Sequence, residues 1–154
     1  MREEDRKRMR LRDFDYSSEG AYFVTLCLQK KLSLFENHQA KEMVEKWIVE
    51  IENKYENVTV DCYVVMEDHV HLILFITEGN QISLSEIMKW FKTMTTNEYI
   101  RGVRDRVYEP FEKKLWQRSF YDHIIRNDED LNEKREYVMN NPAKKRERST
   151  FLKI

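Results

Sequence analysis

A chain of 154 residues with 41% apolar and 12% aromatic side chains can bury one core, and three glycines and two prolines leave no room for long linkers or low-complexity repeats. Charged residues make up 36% but sum to −1, so the chain lacks the positive balance by which a nucleic-acid binder usually shows itself. No run approaches the ~20 apolar residues of a membrane span, and the charged N-terminus has no signal-peptide pattern, so a cytoplasmic protein is expected.

The charge is unevenly spread. RKRMRLR near the N-terminus, the stretch from Arg101 to Arg118 and the late KKRER are basic, while Glu36 to Glu56 carries much of the opposing acid. A basic face on a neutral protein is therefore available. Ordinary solvated helix surfaces explain the same pattern equally well from charge alone. Cys27 and Cys62 fall in apolar runs, which fits buried free thiols in a reducing compartment.

In chain order, GAYFVTLCL (Gly20 to Leu28) is β-branched and aromatic and reads as a strand. From Asn37 to Tyr55 the residues Val44, Trp47, Ile48, Ile51 and Tyr55 recur at helical spacing. VTVDCYVVM (Val58 to Met66) and HVHLILFI (His69 to Ile76) are two more strands, and the short gap Glu67-Asp68 makes them a hairpin. SLSE (Ser83 to Glu86) has capping-box spacing and opens a helix through Ile87, Met88, Trp90, Phe91 and Met94 to about Arg101-Gly102. The later part of WQRSFYDHII is a fourth strand. Asn127 then caps a last helix, with acidic residues in its first turn and its end at Pro142. Trp47, Trp90 and Phe91 lie on apolar stripes and are expected in the core.

The order β-α-β-β-α-β-α is α+β, and its first six elements are the split arrangement of ferredoxin-like βαββαβ folds. That predicts a four-stranded antiparallel sheet with both crossover helices on one face and the third strand central. No repeat or internal boundary is visible, so 1–154 reads as a single domain, with a basic arm at 1–12 and a C-terminal tail at 146–154.

The third strand raises the functional question. Side chains on a strand alternate, so Val70, Leu72, Leu74 and Ile76 face the crossover helices, while His69 and His71 share the other face, roughly 7 Å apart along the strand. Two neutral imidazoles on one face can converge on one cation. Two histidines that merely satisfy hydrogen bonds in a half-buried sheet are the plainer reading. A site needs further groups, and the last helix offers Tyr137 and Asn141, four residues apart and on one side. A phenol is a weak nucleophile at neutral pH, since tyrosine ordinarily ionises near pH ~10. It can attack where a metal polarises the electrophile, and Asn141 has an amide oxygen to offer that metal. Taken alone, Tyr137 is one of eight tyrosines and fits a packing role.

Together, GAYFVTLCL, VVMEDHVHLILFI, LSEIMKWFKT, LWQRSFYDHIIRNDEDL and EYVMNNPAKK resemble, in order, the single-tyrosine HUH transposases. Among these the chain is most similar to the REP-associated tyrosine transposases, from about Leu11 to Lys145. The resemblance implies that His69 and His71 are the metal-binding pair, that Tyr137 is the nucleophile and that Asn141 is a third polar metal ligand. It implies cleavage of single-stranded DNA at hairpin or palindromic elements through a 5′-phosphotyrosine link, with rejoining by a DNA 3′-OH. Phosphate favours Mg²⁺ or Mn²⁺ as the divalent metal, whereas imidazoles also take zinc or nickel. The family contains both single-chain forms and homodimers. Its members commonly carry Pro-Asn before the first histidine, where this chain has Glu67-Asp68.

For DNA contacts the candidates are Arg8, Arg10, Arg12, Lys92, Arg118 and Arg126 on phosphates, and Trp116 stacked on a base or else in the core. His123 belongs to the family's motif, and a hydrogen bond within the fourth strand is its simplest role. Two other functions compete with nicking and joining. One is a catalytically silent DNA-binding regulator that keeps the fold. The other is a metal-dependent hydrolase of another substrate.

Overall fold

The computed structural model describes the backbone of residues 20–77 and 82–153, and the side chains in that range up to residue 140. The expected basic arm at 1–12, with Arg8, Arg10 and Arg12, lies outside the described residues, as do the side chains of the 146–154 tail. Four strands form one sheet: β1 (Gly20–Cys27), β2 (Val58–Val65), β3 (His69–Ile76) and β4 (Tyr121–Ile125). Their order is β2-β3-β1-β4 and every pairing is antiparallel, so β3 is central as expected. Three helices accompany it: α1 (His38–Lys54), α2 (Leu84–Arg104) and α3 (Asp128–Lys153).

The helix starts follow from single side chains. The Asn37 amide oxygen accepts from the backbone N–H groups of Gln39 and Ala40, the Ser83 hydroxyl from Glu86, and the Asn127 amide oxygen from Asp130. Each occupies N–H groups that a helix cannot satisfy itself. The β2–β3 hairpin closes over Glu67-Asp68, with Met66 N–H donating to the His69 carbonyl at 2.8 Å.

Two cores result from the strand period. Tyr22, Val24 and Leu26 of β1 and Val70, Leu72, Leu74 and Ile76 of β3 pack with Val44, Ile48 and Ile51 of α1 and Ile87, Met88 and Phe91 of α2. Phe23, Ile73 and Val138 form a smaller core on the opposite face, under α3, edged by Cys62, Val64, Phe75 and Leu131. β2 changes phase between them. Its register with β3 shifts between Val60 and Cys62, which leaves Asp61 as an extra residue, a bulge. Val58 and Val60 before it, and Tyr63 and Val65 after it, face the α1/α2 core, while Cys62 and Val64 face α3. Asp61 accepts two hydrogen bonds from Arg135 of α3, at 2.8 and 2.7 Å.

Several boundaries differ from the sequence reading. α2 continues past Arg101-Gly102 to Arg104, because Gly102 serves a close approach rather than a stop: a Cβ there would meet the Tyr108 ring at 2.1 Å. α3 does not end at Pro142 but runs to Lys153. A proline disfavours helix for the residue before it without forbidding it, and the following Ala143–Arg148 is rich in helix formers. Two 3₁₀ turns, Gln29–Lys31 and Leu34–Glu36, had no sequence signal. Cys27 and Cys62 are free, as expected, but half-buried rather than buried, because both lie on the α3 face, which α3 covers only in part.

Two changes test how α3 is held. Val138 is fully buried against Phe23 and Ile73, so Val138→Ala is expected to lower the unfolding free energy by about 2 kcal/mol in urea titration. The Arg135 guanidinium holds the Asp61 carboxyl below the ordinary carboxylate range, against an opposing push from burial. A depressed pKa contributes stability that is present above the unfolded value, near pH ~4, and is lost as pH falls through the folded one. The melting temperature of Asp61→Asn should therefore lie below wild type at neutral pH and converge with it in acid.

Candidate metal and nucleophile site

On the α3 face of β3, His69 and His71 bring their ring centroids to 4.6 Å. That is closer than their spacing along the strand, because the rings lean together. His71 is only 6% exposed and lies flat on Phe23, with centroids 5.5 Å apart and 19° between planes. Thr25 stands opposite it in the β1–β3 register, and its Oγ1 is 2.8 Å from His71 Nδ1. Asp68, at the hairpin tip, places Oδ1 2.6 Å from His69 Nδ1.

These contacts fix what the rings offer. A carboxylate only accepts, so Asp68 selects the His69 tautomer with its proton on Nδ1. The Thr25 hydroxyl can accept from His71 Nδ1 in the same way. Both Nε2 lone pairs are then left for a ligand, and neither Nε2 has a hydrogen-bond partner among the described residues. Burial, and then the charge of His69, push His71 down to about 4, so its imidazole is neutral at physiological pH. An oriented imidazole whose Nδ1 is tethered by a hydrogen bond is the arrangement that metal-ligating histidines require.

Tyr137 comes from α3. Next to it, Val138 is buried in the core, and two residues earlier Arg135 clamps Asp61. Those two anchors leave Tyr137 half exposed, its ring edge-on to His71 at 5.2 Å and to Phe23 at 5.9 Å. Thr25, Cys27, Lys31, Asp68, His69, His71 and Tyr137 line one open cavity of about 270 Å³. The backbone of Asn141 is helical, one turn beyond Tyr137, and its side chain lies outside the described residues. Among the described residues no group of three His, Cys, Asp or Glu completes a metal cluster. The pair alone supplies two nitrogen donors, and a divalent ion held here would need oxygen ligands from elsewhere.

The remaining sequence candidates divide. Trp116 is a core residue rather than a free stacking platform: it is 4% exposed, packs on Phe35 and Phe91, and donates its indole N–H to Thr95 Oγ1. Lys92 is half-buried, and its ammonium donates to the carbonyls of Gln117 and Arg118, so it holds the loop before β4 instead of reaching outward. Burial, then the Lys114 charge, lower its pKa. Arg118 and Arg126 are exposed. Arg118 rims a second cavity, about 340 Å³, with Lys113, Lys114, Thr96 and Asn97. His123 bonds Asp130 Oδ2 at 2.8 Å, not a neighbour within its strand, and Asp130 also accepts from Lys134. His123 thus ties β4 to the first turn of α3.

Thr25, Cys27 and Lys31 were not among the candidates read from the sequence, and Asp68 figured there only as an acid of the hairpin tip. Thr25 and Cys27 carry a legible signal, since alternation along β1 puts them on one face with Phe23, opposite His71 and His69. Lys31 had none, because its position depends on an irregular turn.

Comparison with known proteins agrees with this geometry. Residues 16–141 match the family model described as IS200-like transposase. A Haemophilus influenzae protein of uncharacterised function is 28% identical over 158 residues, spanning 89% of this chain and 88% of its own. A putative REP-associated tyrosine transposase from the same organism is 28% identical over 136 residues, 84% of this chain and 74% of that one. The solved structure of a REP-associated tyrosine transposase bound to a REP hairpin superposes with a TM-score of 0.67 at 25% identity, over 84% of this chain and 70% of that chain. The chain belongs to the IS200-like transposase family. Within it, the resemblance is to the REP-associated tyrosine transposases. No helix among the described residues is long and apolar enough to cross a membrane.

The Thr25 contact is open to test. Thr25→Val removes the partner of His71 Nδ1 at nearly constant volume. Mn²⁺ affinity by isothermal titration calorimetry should fall by about 10-fold, the low end for lost outer-shell hydrogen bonds to a ligating histidine.

Proposed function

We propose that this protein nicks and rejoins single-stranded DNA at hairpin or palindromic elements, with Tyr137 as nucleophile. The observation that carries the reading is the meeting, in one open cavity, of a half-exposed tyrosine on a helix and two tethered imidazoles on a central strand. Half exposure leaves the phenol within reach of a substrate while its ring stays edge-on to His71, which supports this reading. That a solved relative is bound to a REP hairpin supports a folded single strand as the substrate.

In the cleavage step the Tyr137 oxygen forms a bond to phosphorus as the P–O3′ bond breaks. The phenolic proton passes to solvent, and the departing 3′ oxygen takes one up. The product is a 5′-phosphotyrosine and a free 3′-OH. Attack by a DNA 3′-OH reverses the step, and the linkage keeps the phosphodiester energy, so no nucleotide cofactor enters. His69 and His71, with Asn141 one turn past the nucleophile, would hold a divalent ion, Mg²⁺ or Mn²⁺ by preference for phosphate. Such an ion polarises the phosphate and offsets its developing charge. Asp68 and Thr25 keep the two rings oriented, and Val138 and Arg135 keep the phenol over them. Arg118 and Arg126, with the arm residues Arg8, Arg10 and Arg12, bind flanking phosphates, and His123 positions α3 through Asp130.

Labelled single-stranded oligonucleotides from DNA flanking the coding region, incubated with Mn²⁺, are expected to yield an adduct that survives denaturation. Tyr137→Phe should abolish it, and His69→Ala should reduce it by at least about 100-fold, the scale of removing one transition-state stabilising group. An adduct persisting in Tyr137→Phe would exclude Tyr137 as the nucleophile. Binding without an adduct would favour the regulator.

A further inference from the structure

β1 ends at Cys27, on the floor of the site, and the chain then turns sharply. In the 3₁₀ turn Gln29–Lys31, Lys30 and Lys31 are both left-handed, with φ of 59° and 51°. Two consecutive non-glycine residues in that region are strained, and neither is the asparagine or glycine that tolerates it best. The surroundings impose it. Leu28 N–H donates to the Asp68 carbonyl, Gln29 N–H to the Leu115 carbonyl, Gln117 N–H to the Cys27 carbonyl and Lys31 N–H to the Leu28 carbonyl. Strain held in place this firmly beside a site is an observation from which function can be argued.

The turn sends the two lysines to different places. Lys30 reaches Glu112 and forms an ion pair at 2.8 Å. Lys31 instead lines the cavity of His69, His71 and Tyr137, and has no ion-pair partner among the described residues. Its charge is felt there: it opposes the rise that burial gives the Cys27 thiol. The nearest acid lining the cavity, Asp68, is engaged with His69. An exposed lysine on a loop is ordinarily just solvated. A strained backbone that aims one of two adjacent lysines into the reaction cavity, leaving the other to a carboxylate, calls for more.

We infer that Lys31 is a phosphate-binding residue of the site, its ammonium placed against the non-bridging oxygens of the phosphate that Tyr137 attacks. This rests on the nicking reading above, which supplies the phosphate. Lys31 makes and breaks no covalent bond. It acts as a point charge, holding the diester beside the phenol and stabilising the charge that gathers on the equatorial oxygens as phosphorus is transferred.

The test uses the full chain with three substitutions. Lys31→Asn removes the charge with a residue that accepts left-handed backbone, Lys31→Arg keeps the charge, and Lys30→Asn is the neighbour control. Thermal melts establish that each is folded. Adduct formation with the flanking oligonucleotide and Mn²⁺ is timed, and binding of the same oligonucleotide is measured against salt in the non-reacting Tyr137→Phe background. Lys31→Asn should slow the adduct by about 100-fold, with Lys31→Arg and Lys30→Asn close to wild type. It should also lower the slope of log affinity against log salt by about 0.7, the loss of one single-strand phosphate contact. Unchanged rate and slope in Lys31→Asn would overturn the assignment while leaving the nicking reading intact. A lowered slope, with no adduct even from wild type, would keep Lys31 as a phosphate contact and remove the nicking reading.

Discussion

The two-residue period of β3 is the constraint on which the rest depends. As the central strand it must satisfy both faces at once. Val70, Leu72, Leu74 and Ile76 are sealed into the helix-covered core, so the strand cannot slip by one residue without turning the whole set outward. The same lock points His69 and His71 the other way. Because β1 is paired in fixed register, Thr25 and Cys27 fall opposite them, and the hydrogen bond that orients His71 is a consequence of the sheet. A histidine pair carried on a loop would have to find its geometry anew. Here it is fixed by burial of the opposite face.

Tyr137 is held differently. α3 covers only part of its face of the sheet, through Val138, Leu131 and the Arg135–Asp61 pair, with Asp130 bound to His123 at its start. The Asp61 bulge makes this possible. It changes the phase of β2 midway, so that one strand packs under α1 at both ends and still presents an acceptor to α3. The small core lets Tyr137 stay half exposed while its backbone is anchored on either side. A fully packed tyrosine would be positioned but unreachable; an unanchored one would be reachable but not positioned.

The fold was legible because its signals are local and periodic. Asn37, Ser83 and Asn127 announce their helices, HVHLILFI gives its strand to the residue, and the element order leaves one sensible topology. That His69 and His71 share one face and that Tyr137 sits on the last helix was legible from alternation and helical spacing, whereas their proposed roles come from the resemblance. What escaped depends on tertiary closeness. Gly102 looks like a helix stop until Tyr108 is seen lying on it, and the two readings of Trp116, stacking platform or core, are separated only when Thr95 is found bonded to its indole. Lys92 counts as a free cation only as long as the carbonyls of Gln117 and Arg118 are unknown. Lys31 is the clearest case, because a pair of adjacent lysines says nothing about which one the backbone turns inward.

The near-neutral charge is reconciled by placement. The acidic stretch lies on and around α1, on the face of the sheet opposite α3. Exposed charges are largely screened beyond about 8 Å at physiological salt, so acid on the far side of the sheet weighs little on the cavity of His69, His71 and Tyr137. Of the two acids at the hairpin tip, Asp68 is bound to His69, so its charge is engaged there and does not stand free in the cavity. Lys31 faces the same cavity without a carboxylate partner among the described residues. Net charge summed over the chain therefore describes the cavity poorly, since the field inside it is set by the few groups that line it, a lysine and two histidines beside one engaged carboxylate.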